Sequence, residues 1–161
     1  MDRLWTPWRF EYIRTADKET SCVFCRILNE SCDKENLVLF RGAHSFLLMN
    51  LYPYTSGHLL VVVNRHISFL NEATPDELTE IIQLGQRCEA ILGQEYHPHG
   101  YNMGFNLGRA AGAGVDHHLH MHVVPRWTGD SNFVSIVGET RTLPEELSNT
   151  YKRLLPHFKR T

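Results

Sequence analysis

The stretch DHHLHMHVVPRW, Asp116 to Trp127, decides how this chain is read. It holds four of the ten histidines. Successive side chains of a strand point to opposite faces, so residues two apart share one. His118, His120 and His122 therefore line one face, and Leu119, Met121 and Val123 turn to a core. Val124 breaks the alternation, and Pro125 is expected to end the strand. A merely polar strand face explains one histidine, but not three in register with His117 beside them. Two chemistries remain: a metal site, or acid/base and nucleophilic work near neutral pH.

The loop upstream, NLGRAAGAGVD (106–116), helps to choose. Small residues leave backbone N–H groups accessible, and such loops can wrap an anion. Turn chemistry explains most glycine-rich loops. Beside a histidine row, this one suggests a phosphate held against a nucleophile.

Further out, the chain reads as one α+β domain over 1–161. Residues 36–42 and 44–53 read as strands with a turn near Gly42, and 55–64 as a central strand. The clearest helix spans 74–96, with Thr74 as N-cap and Pro75 at the first helical position. Strands follow at 100–108 and 117–125, and a last helix over 143–160 runs until Pro156. A short helix over 17–29 carries Cys22 and Cys25. The sum is a mostly antiparallel sheet with a long helix packed on it, preceded by an aromatic arm containing Trp5 and Trp8.

The net charge of −2 gives no bulk electrostatic reason to expect nucleic acid as a partner. No apolar run reaches about 18 residues, so no membrane span is expected. The first residues lack the apolar core of a signal peptide, which makes the cytoplasm the expected compartment. Cysteines there are free thiols or metal ligands before they are disulfides. Cys32 and Cys88 stand alone and read as ordinary thiols. His97 and His99 read as exposed turn residues. Lys152, Arg153, Lys159 and Arg160 read as a solvated helix face that could approach a polyphosphate.

The segments CVFCRI, LLMNLYPYTSGHLLVVVNRHI, the glycine-rich loop, HLHMHVV and VVPRWTGD resemble, in order, those of the histidine triad (HIT) nucleotide hydrolases and transferases. The resemblance spans about 22–130. The ending VVPRWTGDSNF is similar to the fragile-histidine branch and to bacterial diadenosine tetraphosphate phosphorylases.

The resemblance implies a HIT-like fold and gives each residue a role. His120 would be the nucleophile, attacking an α-phosphorus to form a nucleotidyl-histidine. His122 would contact phosphate and His58 would support the site. Asn50 would meet the ribose and Asn106 would lie near the phosphates. Read without the resemblance, Asn50 is a turn residue and His58 a buried core histidine. Gly112, Ala113, Gly114 and Val115 would form the phosphate loop. Many family members carry Gln then Ser or Thr where this chain has Ala113 and Gly114, and its loop is one residue longer. Backbone donors remain.

Cys22, Cys25, His66 and His118 match a Cys2His2 zinc site, with His117 in reserve. Four protein ligands leave no open position, so that zinc would be structural. The implied substrates are adenine-containing dinucleoside polyphosphates, cleaved with water or inorganic phosphate as acceptor, and the implied assembly is a homodimer. A nucleoside phosphoramidate hydrolase, a nucleotide-binding signalling module and a zinc-stabilised interaction protein are the alternatives. The third leaves His120, His122 and Gly112 unexplained.

Overall fold

A computed structural model describes residues 21–130 and 145–159. The aromatic arm, residues 17–20 of the expected short helix, and Arg160 lie outside them. Five strands form one antiparallel sheet: β1 (Val38–Arg41), β2 (Ser45–Met49), β3 (Leu59–Val63), β4 (Gly100–Phe105) and β5 (His120–Arg126). Their order is β1-β2-β3-β5-β4, which puts the histidine strand beside the apolar central strand. Among the described residues three α-helices accompany them: α1 (Val23–Asn29), α2 (Pro75–Tyr96) and α3 (Leu147–Lys159). The α+β expectation holds. Among the described residues, no helix is long and apolar enough to cross a membrane.

The sheet has two dissimilar faces. On one, Leu47, Met49, Val61, Met121 and Val123 pack against Ile81, Leu84 and Leu92 of α2 and Tyr151, Leu154 and Phe158 of α3. Each such side chain, fully buried, contributes roughly 1.5–3 kcal/mol. On the other, Phe46, Leu48, Leu60 and Val62 meet Phe24 and Ile27 of α1 and Val115 of the glycine-rich loop. β2 and β3 are buried on both faces, hence their unbroken apolar runs.

The long helix starts as its sequence dictates. Thr74 accepts the Glu77 N–H, and the Glu77 carboxylate accepts the Thr74 N–H at 2.7 Å, a reciprocal cap with Pro75 inside it. Its middle lies close to the sheet at Gly85, where an added Cβ would stand 2.8 Å from Met121 Cε. Met121 lies between His120 and His122, so α2 presses directly on the back of the histidine strand.

Several boundaries differ from expectation, most clearly in β5, α3 and α1. β5 begins at His120, not at 117, and continues through Pro125. Pairing with β3 ends at Val123 opposite Leu59, so the missing N–H of Pro125 costs no bond to β3. α3 continues through Pro156 to Lys159. Arg87 donates to the His157 and Phe158 carbonyls at 3.0 Å and covers the Phe158 ring, holding the last turn in place. α1 begins at Val23, with Cys22 at its N-cap.

Candidate active site

The register of β5 on β3 sets the site. Leu60 lies opposite His122 and Val62 opposite His120, so both histidines share the face of the α1 layer. A cleft opens there. Its walls are Phe24, Asn50, Tyr52, Tyr54, Leu60, Gly112, Gly114, Val115, His120 and His122. Gly112, Gly114 and Val115 thus reach it; Ala113 and Asn106 are not wall residues. Asn106 follows Phe105, the last residue of β4, which pairs with Met121, and so lies just past the strand end on the His120 side.

Hydrogen bonds fix the state of each imidazole. His120 is buried, and its Nδ1–H donates to the His118 carbonyl at 2.7 Å. Nε2 therefore keeps its lone pair. Burial pushes the His120 pKa below the ordinary imidazole value, so the ring is neutral at pH 7. His58 is different. Its Nδ1 accepts the Tyr54 N–H at 3.1 Å, so its proton sits on Nε2. That Nε2–H faces His122 Nδ1 at 2.9 Å, which leaves the neutral His122 protonated on Nε2. Two neighbouring rings, 5.0 Å apart between centroids, thus hold a lone pair and a proton on corresponding nitrogens.

Asn50 takes the turn role and also lines the cleft. Its Oδ1 accepts the Tyr52 N–H at 3.0 Å, closing a turn, while its amide lies 3.3 Å from His58 Nδ1. His58 is buried as the core reading required, yet it is tied into the histidine pair. In the loop, the Gly112 N–H donates to the Arg109 carbonyl, and Ala113 N–H to the Gly108 carbonyl. Gly112 has a φ of +87°, which favours glycine. Among the described residues, the Gly114 and Val115 N–H groups donate to no protein acceptor.

A second cluster adjoins the first. Cys22, Cys25, His66 and His118 each offer a ligand atom, all within 4.8 Å of one another. Cys22 Sγ lies 3.2 Å from His118 Nδ1, and Cys25 Sγ 3.2 Å from His66 Nδ1. A tetrahedral zinc with bonds of about 2.0–2.3 Å needs donors about 3.3–3.8 Å apart; with Cys25 Sγ 3.6 Å from His118 Nδ1 as well, three donor pairs stand close to that spacing, and two thiols with two imidazoles suit that ion. His118 Nε2–H donates to the Val63 carbonyl at 2.7 Å, which turns the Nδ1 lone pair toward the thiols. Burial pushes the His118 pKa down to about 4, so the ring is neutral and able to ligate.

Three separate segments bring these ligands in. Cys22 and Cys25 come from the start of α1. His66 follows β3, where Arg65 grips the Glu77 carboxylate at 2.7 and 2.8 Å and pins the segment to α2. His118 precedes β5 rather than lying in it, but Leu119 still bonds to Ile67 and Val63, and the ring keeps the expected face. His117 lies in the preceding turn against Asp116 and outside the cluster, so strand alternation does not place it.

Other candidates fall elsewhere. His97 caps α2 in the left-handed conformation, and His99 accepts the Thr128 N–H; both are exposed. Arg153 pairs with Glu145 and Glu95, and α3 packs on the face away from the histidines. Sequence reasoning passed over Phe24, Tyr52 and Tyr54. Their signal was aromatic residues placed between Cys22 and Cys25 and between Asn50 and His58.

The HIT domain family model matches residues 32–129. The chain belongs to the HIT domain family. It is 38% identical to an AP-4-A phosphorylase of Mycobacterium tuberculosis, over 99% of this chain and 86% of that protein. It is 28% identical to an adenosine 5'-monophosphoramidase of Schizosaccharomyces pombe, over 82% of this chain and 99% of that one. A zinc-bound histidine triad family protein from Mycobacterium smegmatis superposes with a TM-score of 0.69 at 29% identity, covering 86% of this chain and 93% of that structure.

Proposed function

We propose that this protein is a nucleotidyl hydrolase or transferase that cleaves dinucleoside polyphosphates of the diadenosine tetraphosphate type at the α-phosphate, through a covalent intermediate on His120. The observation that carries the reading is the His120 ring, neutral, tethered through Nδ1–H and holding its Nε2 lone pair beside a wall of the cleft. The likeness to the AP-4-A phosphorylase, over nearly the whole chain, supports the substrate class.

In this reading Nε2 of His120 attacks the α-phosphorus. The bond from that phosphorus to the bridging oxygen breaks, and the nucleoside polyphosphate leaves with its electron pair. His122, protonated on Nε2, donates to a phosphoryl oxygen, and the Gly114 and Val115 N–H groups add backbone donors. Asn50 contacts the ribose, and Asn106 lies near the phosphates. In the second half, an oxygen of water or inorganic phosphate attacks the phosphorus, the P–N bond breaks and His120 is regenerated.

Zinc held by Cys22, Cys25, His66 and His118 would cross-link three chain segments and supply no chemistry to the reaction. His118 then serves twice, by its ring and by the carbonyl that holds His120. We assign the functional form to a homodimer, and the compartment to the cytoplasm, in keeping with the four free thiols.

The test is diadenosine tetraphosphate with and without inorganic phosphate, products identified by mass spectrometry. ADP with ATP, formed only with phosphate, defines a phosphorylase. AMP with ATP, indifferent to phosphate, defines a hydrolase. No cleavage of this substrate rules out the dinucleotide assignment. Turnover of a nucleoside phosphoramidate instead would favour the second reading, which the monophosphoramidase relative supports.

A further inference from the structure

We propose that Tyr54 is a positioning residue for His122, fixing both the proton and the plane of its ring through His58. The proposal deepens the reading above and rests on it for the reaction, though its structural part stands alone.

Tyr54 acts at two points. Its main-chain N–H donates to His58 Nδ1 at 3.1 Å, which obliges His58 to carry its proton on Nε2. That proton meets His122 Nδ1 at 2.9 Å. Its ring then covers both imidazoles. The Tyr54 and His58 centroids are 4.6 Å apart, and the Tyr54 ring lies 15° from the plane of His122 at 6.1 Å. The Tyr54–His58 pair is tilted by 39°, while the Tyr54–His122 pair is stacked, and an offset stack at such a distance favours a fixed plane for the His122 ring. Tyr54 also lines the cleft, alongside His122.

Without this cover, His58 would keep its tautomer through the main-chain N–H, but the His122 ring could tilt out of its bond to His58 and exchange tautomers through water. A His122 protonated on Nδ1 presents a lone pair, not a donor, toward a phosphoryl oxygen. The loss would appear in turnover rather than in substrate binding, because the altered group acts on charge developing in the transition state.

Two measurements on the full chain test this. The first is nitrogen-15 NMR of the histidine rings at neutral pH, which needs no substrate. Wild type and Tyr54→Phe should show single tautomers, His58 and His122 each protonated on Nε2. Tyr54→Leu, which keeps the main-chain N–H, should keep His58 protonated on Nε2 but show averaged shifts for His122, with the His120 signals unchanged. The second is steady-state cleavage of diadenosine tetraphosphate. Tyr54→Leu should lose about tenfold or more in kcat with KM within about threefold, and Tyr54→Phe should stay close to wild type. An unchanged His122 tautomer in a folded Tyr54→Leu, or a loss confined to KM, would overturn the proposal. If Tyr54→Leu unfolds, Tyr54→Phe decides: a tenfold loss with the ring intact would assign the role to the hydroxyl and contradict the stacking account. A wild type that cleaves nothing would instead refute the proposed reaction and leave the tautomer result standing.

Discussion

His120 and His122 are two residues apart on one strand and chemically opposite. The His118 carbonyl leaves one with a lone pair on Nε2, and His58 leaves the other with a proton there, which suits them to the proposed roles of nucleophile and donor. His122→Leu should therefore lower kcat by about 10²–10⁴-fold, the usual worth of a positioned proton donor. His122→Gln, whose amide can still donate from a similar place, should retain more activity, and steady-state kinetics on the pair measures the difference. Gly112 makes a second prediction. Its φ of +87° is strained for any residue with a Cβ, so Gly112→Ala should cost about 1–2 kcal/mol in denaturant unfolding and raise KM. The alternation of HLHMHV was enough to place His120 and His122 on one face. It could not give the tautomers, because those depend on the His118 carbonyl, the Tyr54 N–H and the ring of His58.

At the scale of elements, the cysteine–histidine cluster joins α1 to the approaches of β5 and α2. Metal analysis should find about one zinc per chain, lost in Cys22→Ser. At free zinc about 100-fold above its Kd, the ion adds about 2.7 kcal/mol. A chelator should thus lower Tm in wild type and leave Cys22→Ser unmoved. Glu77 supports the same region by capping α2 and holding Arg65, one residue before His66. The Arg65 guanidinium pulls its pKa from 4.5 down to about 2. The folded state then binds this proton less readily than the unfolded chain does. Its stabilisation is full above the unfolded value and drains away as pH falls from 4.5 toward about 2. Glu77→Gln should cost about 1–2 kcal/mol at pH 7, judged by unfolding, and show a shallower loss of stability in acid. The Thr74–Pro75 start of α2 was legible because capping is local. The continuation of α3 past Pro156 was not, because Arg87, which holds its end, is distant in sequence.

Across the whole molecule, one sheet separates support from chemistry. α2 and α3 cover one face, while α1 and the glycine-rich loop build the cleft on the other. Apolar runs and periodicity made the sheet and the long helix readable. The meeting of residues 22–25, 66 and 118 came only through the family resemblance, since spacing alone does not bring such segments together. The basic residues of α3 were read first as a solvated helix face, and Lys152, Arg153 and Lys159 are exposed on a helix of the supporting side. The central claim is that His120 carries the nucleotide between the two halves of the reaction. Its most direct test is to mix the protein with substrate labelled at the α-phosphorus, quench in alkali and look for protein-bound label. The account predicts an alkali-stable, acid-labile adduct that maps to His120 and is absent from His120→Ala. Rapid turnover by wild type with no trapped label, or undiminished turnover by His120→Ala, would contradict it.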